Sequence, residues 1–366
     1  MIYLDNGATS FDKPPTVARA IVKAMQTCAN PGRGGYEASM EASRVVFSCR
    51  QRAGALFDCR PEQVIFTSSC THGLNIAIHS LVPPGSRVLI SGFEHNAVTR
   101  PLHLAGAQVM VAGRRLFDQA NTLEEFEKYL RSGVDVAVFT HVSNVFGYIL
   151  PVENLAALCH RYGVPFIMDA AQSAGSLDVK LEALGADFIA MPGHKGLLGP
   201  QGTGILLCKK DAQPLLAGGT GSESERVQMP EFLPDRLEPG TLNVPGIAGL
   251  DAGLRYLQER GIDNIFAAER KMAKWCAENL KAYGYQVFDG ENQAGTVSFV
   301  TDDCEATAQK LSDAGIAVRA GLHCAPLAHE SAGTLKTGTV RVSFGHDACK
   351  FQCQALLQTL GKRKKT

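Results

Sequence analysis

The chain of 366 residues is 45% apolar and 20% charged, and its 36 basic and 36 acidic residues give a formal net charge of zero. That composition fits a soluble globular protein of about two domains with a substantial core, and excludes a disordered or fibrous chain. The charge balance leaves no broad basic face for nucleic acid, and neither a membrane-length apolar stretch nor a leader-like N-terminus occurs, so no membrane partner and a cytoplasmic location are expected.

From Val64 onward, short apolar runs alternate with helix-length segments. Strands are predicted at Val64–Phe66, Arg87–Ser91, Val134–Phe139, Pro165–Met168, Phe188–Met191 and Gly204–Leu207. Runs of this kind specify a mostly parallel sheet covered on both faces, the core of an α/β domain. The stretch Ala217–Pro245, rich in Gly, Pro, Ser and Glu, interrupts the pattern and reads as a mobile loop at a domain boundary. Beyond it, helices are predicted from about Ile247 to Arg260 and over Asn264–Tyr283. Strands near Thr296–Val300 and Val340–Phe344 and a helix over Asp347–Leu360 complete a smaller α/β unit. The expected division is a large domain over residues 12–245 and a small C-terminal domain over 246–366, with residues 1–11 packing on the latter.

Eleven cysteines without framework spacing argue against a disulfide scaffold and for small buried apolar residues. His346, Cys349 and Cys353 share a helical face, but with no fourth ligand nearby they read as packing, and no metal is expected. The charge run Lys362-Arg363-Lys364-Lys365 reads as a solvated terminus.

In an open parallel sheet, ligands collect at the carboxyl ends of the strands. Ser68-Ser69-Cys70-Thr71-His72-Gly73, between a strand and a helical run, can hold a phosphate with hydroxyls and N–H groups at a helix N-terminus. His95, after Arg87–Ser91, can stack on a ring and move protons. Asn144, after Val134–Phe139, can hydrogen-bond a ring hydroxyl. Asp169 ends Pro165–Met168 and can pair with a protonated pyridine nitrogen, while Lys195, after Phe188–Met191, can bind an aldehyde through its amine. Taken singly, an Asp at a strand end is commonly a helix cap and a lone Lys is commonly solvated. Together, five strand ends offer the groups that pyridoxal 5′-phosphate (PLP) needs. The run Gly199-Pro200-Gln201-Gly202-Thr203-Gly204 has neither phosphate-loop nor dinucleotide spacing. A further segment, Arg319-Ala320-Gly321-Leu322-His323-Cys324-Ala325, puts a cysteine in a glycine-containing loop near a cation and points to a reactive thiol.

With Tyr3-Leu4-Asp5-Asn6-Gly7-Ala8-Thr9, Glu94-His95-Asn96, His141-Val142-Ser143-Asn144, Asp169-Ala170-Ala171-Gln172, Gly193-His194-Lys195 and Gly240-Thr241-Leu242-Asn243, in that order, the chain resembles the fold-type I PLP enzymes of the class V aminotransferase family almost from end to end. Within the family it resembles the cysteine desulfurases and selenocysteine lyases. The resemblance implies a homodimer whose large domain has a mostly parallel seven-stranded sheet, with a smaller C-terminal α/β domain. It implies that Lys195 binds PLP, that Asp169 and Gln172 contact its ring, and that Cys70, Thr71 and His194 help hold its phosphate. It further implies that Thr241 reaches the phosphate across a dimer interface and that Arg341 clamps the substrate carboxylate, with Asn6, Asn144 and Arg319 also at the substrate. Cys324 matches the sulfur-accepting cysteine. Two positions depart from the desulfurase branch: Leu322 stands where the branch has His, and Pro192 where a hydroxyl residue precedes Gly193-His194-Lys195. Proline offers neither a hydroxyl nor an N–H.

The reaction so implied removes sulfur from L-cysteine, leaving L-alanine and a persulfide on Cys324 for an acceptor protein. The nucleophile has to be a thiolate, and at an unperturbed pKa only ~3% is ionised near pH 7, so Cys324 needs a cationic or polar setting. Arg319 and His323 are candidate sources, although neighbours in an extended segment face opposite ways. The alternatives are a lyase for L-selenocysteine, another β-eliminating or transaminating class V enzyme, or a noncatalytic relative that binds PLP or a partner as a scaffold.

Overall fold

The computed structural model describes residues 1–32 and 34–362, so the basic tail beyond Lys362 lies outside the described residues. The chain begins with β1 (Ile2–Tyr3), α1 (Pro15–Thr27) and α2 (Glu37–Phe57). There follow β2 (Val64–Thr67), α3 (Cys70–Leu81), β3 (Arg87–Ser91), α4 (Asn96–Leu104), β4 (Gln108–Ala112) and α5 (Gln119–Arg131). Next come β5 (Val136–Thr140), α6 (Val152–Tyr162), β6 (Phe166–Asp169), α7 (Leu181–Leu184), β7 (Phe188–Pro192) and β8 (Gly204–Cys208). The remainder comprises α8 (Val244–Arg260), α9 (Ile262–Ala282), β9 (Gln286–Phe288), β10 (Thr296–Val300) and α10 (Cys304–Asp313). It ends with β11 (Ile316–Ala317), β12 (Arg319–Gly321), α11 (Pro326–Ser331), β13 (Thr339–Ser343) and α12 (Lys350–Leu360).

Seven strands form the main sheet in the order β2-β8-β7-β6-β5-β3-β4. β4, β3, β5, β6 and β7 are parallel neighbours, and β8 lies antiparallel between β7 and β2. The fold class is therefore α/β with a mostly parallel sheet, as the apolar runs predict. A four-stranded antiparallel sheet, β12-β13-β10-β9, forms from the C-terminal part, and β1 pairs with β11 in parallel.

Alternate side chains of a strand point to opposite faces, so each central strand feeds two cores. Ala137 and Phe139 of β5 join Met168 and Ile189 on one face, whereas Val136 and Val138 join Ile167 and Ala190 on the other. Helices cover both faces, which is why these strands are apolar throughout rather than alternating. A third core gathers Leu4 with Met272, Cys276 and Leu280 of α9, Val297 and Phe299 of β10, Val340 and Val342 of β13, and Leu356 of α12.

Some boundaries differ from the sequence pattern. β4 is an addition to the predicted strands: it lies at the sheet edge with Gln108 and Val109 exposed, so burial imposes no continuous apolar run on it. Pro245, which resembles a loop residue, sits in the first turn of α8, where a missing N–H is harmless, and Asn243 caps that helix by accepting the Gly246 N–H at 3.0 Å. The loop between β8 and α8 is fastened by buried Glu238, whose carboxylate takes the Arg50 guanidinium and, at 2.6 Å, the Phe66 N–H. At one crossing only glycine fits. A Cβ on Gly175, whose φ is +96°, would lie 2.2 Å from Gly196 O, and a Cβ on Gly196 would lie 2.3 Å from Ala174 O.

Glu94 ties the carboxyl ends of β3 and β5 together. Its Oε1 accepts from the Ser91 hydroxyl and, at 2.9 Å, from the Thr140 N–H, while Oε2 is buried without a partner. Burial pushes its carboxyl pKa up to about 8 from 4.5, against the opposing pull of those hydrogen bonds. The folded state then holds more protons than the unfolded state between those values, so stability falls as pH rises through the window. Glu94→Gln removes this dependence. Its Tm relative to the parent should climb between about pH 5 and pH 8, by roughly 2–4 °C for each kcal/mol of relieved penalty. Calorimetry at several pH values reads this, and a pH-independent difference would mean that Glu94 does not titrate in the folded state.

Candidate active site

The carboxyl ends of β3, β5, β6 and β7 open beside the N-terminus of α3. Cys70, Thr71, His95, Asn144, Asp169, Gln172, His194 and Lys195 line one cavity there, with Ser69 and Pro192 also in its wall. Ser69 caps α3, its hydroxyl accepting the His72 N–H at 3.2 Å, so the first N–H groups of that helix face the cavity end. His95 caps α4 through Nδ1, which accepts the Ala97 N–H at 2.9 Å and leaves the ring proton on Nε2. Burial lowers the His95 pKa, with Asp169 opposing.

Asp169, 2% exposed, accepts the Ala171 N–H at 2.8 Å and the Cys70 thiol at 3.5 Å on Oδ1. Burial and the neighbouring Asp169 hold Cys70 as a thiol, its pKa well above the usual value. Burial lowers the pKa of the Lys195 amine, while Asp169 and Cys70 pull the other way. The turn bearing Lys195 is gripped by the N-terminal segment: the His194 carbonyl accepts the Ser10 N–H at 3.1 Å and the Lys13 ammonium at 3.2 Å. His194 Nδ1 meets the Thr9 hydroxyl at 3.0 Å, and its pKa is lowered to about 4 by burial and by Lys195 and Lys13. Gln172 donates to Gly7 O at 2.9 Å.

The remaining residues singled out from the sequence lie outside the wall of this cavity. Asn6 lines an adjoining cavity that also touches Gln172 and Lys195. Arg341, 2% exposed, donates to Asn144 O at 3.0 Å and to Asp5 Oδ1 at 2.6 Å, and its Nε is buried without a partner. Arg319 holds the other oxygen of Asp5 at 3.1 Å, so one carboxylate bridges two guanidiniums. Thr241 lies in a separate groove of about 780 Å³ with Phe47 and Leu242.

Cys324 is exposed on the connection between β12 and α11. His323 and Cys324 have φ of +52° and +55°, and the Ala325 N–H bonds to Leu322 O at 2.9 Å, the features of a type I′ turn. Such turns favour Asn-Gly, and a non-glycine residue held left-handed costs about 1–3 kcal/mol. The turn is docked through its carbonyls: His323 O accepts from Asn144 Nδ2 at 2.8 Å and Cys324 O from the Asn96 N–H at 2.8 Å. The His323 ring turns inward to His329, so it does not flank the thiol, and Leu322 beside it is 38% exposed.

The donor set fits PLP. An amine, a buried carboxylate and a helix N-terminus share one cavity, and Asn144 Oδ1 in its wall is a buried acceptor without a partner, which a ring hydroxyl would satisfy. His346 instead bonds to Asp12 O at 2.8 Å and Tyr256 at 3.2 Å, Cys353 is buried, and no metal-binding group of three or more such side chains occurs among the described residues. Asp5, Thr9 and Glu94 are site neighbours that carry no assignment from the sequence, although all three stand in the quoted motifs.

Residues 2–356 match the family model for aminotransferase class-V. A probable cysteine desulfurase from Methanothermobacter thermautotrophicus is 32% identical, covering 98% of this chain and 94% of that protein. A cysteine desulfurase from Haloferax volcanii is 30% identical over 94% of this chain and 85% of its own length. The solved apo structure of a cysteine desulfurase from Thermococcus onnurineus NA1 superposes with a TM-score of 0.90 at 30% identity, over 98% of this chain and 93% of that one. With its sheet order, its strand-end cavity and a match along nearly its whole length, the chain belongs to the class-V aminotransferase family.

Proposed function

We propose that this protein is a PLP-dependent cysteine desulfurase that takes sulfur from L-cysteine onto Cys324 and releases L-alanine. The observation that carries this reading is Cys324 itself, exposed on a strained turn whose carbonyls dock on Asn96 and Asn144, next to the cavity that holds Lys195 and Asp169. A transaminase or a scaffold has no use for a thiol presented there.

When bound, PLP supplies an electron sink that loosens the substrate Cα–H bond. Lys195 would hold the cofactor and would move the Cα proton, a task suited to an amine whose pKa burial has lowered. Asp169 would keep the pyridine nitrogen protonated, Gln172 would contact the ring, Asn144 would accept from its hydroxyl, and His95 would pack against it and move protons. Thr71, His194 and the backbone of Cys70 hold the phosphate, since the Cys70 thiol is committed to Asp169. Pro192 withdraws a hydroxyl and an N–H from that side. Asn6, Asn144, Arg319 and Arg341 receive the substrate carboxylate. Two guanidiniums on one Asp5 carboxylate leave one positive charge uncompensated, which suits an incoming anion.

The Cys324 thiolate attacks the substrate sulfur. An S–S bond forms, the C–S bond breaks, its electron pair stays on Cβ, and Cβ takes a proton to complete alanine. The persulfide sulfur then passes to an acceptor protein. The division that goes with this reading is a large domain over 12–245 and a smaller one over 246–366 with residues 1–11; the β1–β11 pairing supports the placing of residues 1–11, whereas Ile247, Leu250, Leu254 and Leu257 of α8 pack in the core of the main sheet. The eleven free thiols support a reducing, cytoplasmic setting, and no helix among the described residues is long and apolar enough to cross a membrane.

Thr241 would reach the phosphate from a second copy. Its place in a groove apart from the Lys195 cavity, beside Phe47, which is 54% exposed and follows exposed Met40 on α2 and exposed Tyr36 at its N-cap, supports a homodimer with shared sites. Sedimentation at micromolar concentration should therefore give twice 39.2 kDa. Phe47→Glu should give a monomer with weakened PLP retention, and an active monomer would defeat the shared-site reading.

Borohydride treatment of the yellow holoenzyme should fix PLP to the peptide containing Lys195, and Lys195→Ala should lose that adduct. An adduct kept in the variant would remove Lys195 from its role.

Cys324→Ala should retain the cofactor spectrum and its response to added cysteine, yet lose alanine formation by about a hundredfold or more. Wild-type enzyme given cysteine without reductant should carry one extra sulfur on the Cys324 peptide. Cysteine activity surviving in the variant, or the extra sulfur only on Cys349 or Cys353, would overturn the mechanism. Loss of cysteine activity with selenocysteine activity kept would point to a selenocysteine lyase.

A further inference from the structure

Behind Cys324 lies a cluster of polar side chains with no role in the chemistry above. His323 and His329 are 7% and 0% exposed, and their rings lie nearly coplanar, edge to edge, with centroids 5.5 Å apart and planes 11° apart. A hydrogen-bonded run joins Arg319 O to His323 Nε2 at 3.3 Å, His323 Nδ1 to His329 Nε2 at 3.3 Å, and His329 Nδ1 to Thr334 Oγ1 at 2.7 Å.

The direction of this run follows from its ends. A carbonyl oxygen only accepts, so His323 Nε2 carries the proton. A neutral His323 then accepts at Nδ1, which makes His329 Nε2 a donor and His329 Nδ1 the acceptor of the Thr334 hydroxyl proton. A proton added to His323 would go to Nδ1 and set its N–H head to head with that of His329 Nε2. Burial keeps both rings neutral, lowering the pKa of His323 to about 3 and that of His329 to about 4.

The run passes through His323, the first left-handed residue of the strained turn. Left-handed non-glycine residues persist where the surroundings over-determine them. The turn's backbone is docked on Asn144 and Asn96. On the side-chain side, His329 meets the His323 ring edge to edge through their hydrogen bond, and is itself oriented by Thr334 and packed against Phe146 at 5.8 Å.

We propose that His329 and Thr334 are positioning residues for Cys324: the directional run from Thr334 through His329 and His323 to Arg319 holds the turn that aims the thiol beside the cavity. This rests on the reading of Cys324 as the sulfur acceptor. Neither residue touches substrate or cofactor, so their effect falls on sulfur transfer and not on cofactor or substrate binding.

The test compares His329→Phe and Thr334→Val, which keep bulk and remove the hydrogen bonds, with His329→Gln and Thr334→Ser, which keep a donor and an acceptor in place. In the holoenzyme, the first pair should lower kcat for alanine formation by about tenfold or more with KM and cofactor absorbance unchanged, and the second pair should stay within about threefold of wild type. Without substrate, amide exchange at Asn96 and Ala325, whose N–H groups bond to Cys324 O and Leu322 O, should quicken by about tenfold in the first pair only. Equal losses in His329→Phe and His329→Gln, or wild-type kcat and exchange in His329→Phe, would overturn the proposal. Cofactor loss in all four variants would overturn it too, by assigning the run to the general scaffold. If His329→Phe does not fold, Thr334→Val against Thr334→Ser decides the same question. Full cysteine activity in Cys324→Ala would instead defeat the sulfur-acceptor reading, while the exchange measurement would still judge whether the run holds the turn.

Discussion

A carboxylate buried at the end of a central strand has to be met by donors, and the cavity is organised around that demand at Asp169. Its backbone is fixed by pairing with β5 on one side and β7 on the other. Its side chain, out of water, takes the Ala171 N–H and the Cys70 thiol, and its negative charge offsets the burial that depresses the pKa of Lys195 and His95. Parallel pairing matters here because it brings the ends of β3, β5, β6 and β7 to the same edge, so residues far apart in sequence become neighbours without long loops.

A second constraint comes from the first residues of the chain. The segment after β1 crosses from the four-stranded sheet to the Lys195 turn, with Asp5 on two arginines, Gly7 O on Gln172, and Ser10 and Lys13 on the His194 carbonyl. Arg341 is almost without solvent contact, and leaving such a guanidinium unpaired would cost about 3–5 kcal/mol. Asp5 therefore stabilises the buried guanidinium of Arg341, while sharing itself with Arg319 so that the positive charge is not cancelled.

Much of this was legible in the sequence wherever a single local rule sufficed. Strands buried on both faces read as unbroken apolar runs, and β5, β6, β7 and β8 stand within a residue or two of their predicted positions. Asp169 is legible because it ends such a run, and Lys195, His95 and Asn144 because each stands in the short connection that follows one. Edge strand β4 is not, since exposure at Gln108 and Val109 removes the pattern. The partnership of Asp5 with Arg319 and Arg341 has no local signal, because it is made by tertiary packing alone. The turn at His323 and Cys324 lacks the Asn-Gly that announces a type I′ geometry, and His329 and Thr334, on and after a short helix, belong to no motif.

The contact between Asp5 and Arg341 spans 336 residues of chain. During synthesis the main sheet, whose strands end at Cys208, can form long before β13 leaves the ribosome. Until then the N-terminal segment lacks its buried partner Arg341, and the clamp on the Lys195 turn lacks that anchor. Closure of the site is thus among the last events of folding, a non-local step of the slow kind. A nascent chain stalled before Thr339 would own a nearly finished sheet and no competent centre, which keeps a sulfur-mobilising activity from starting on incomplete polypeptide.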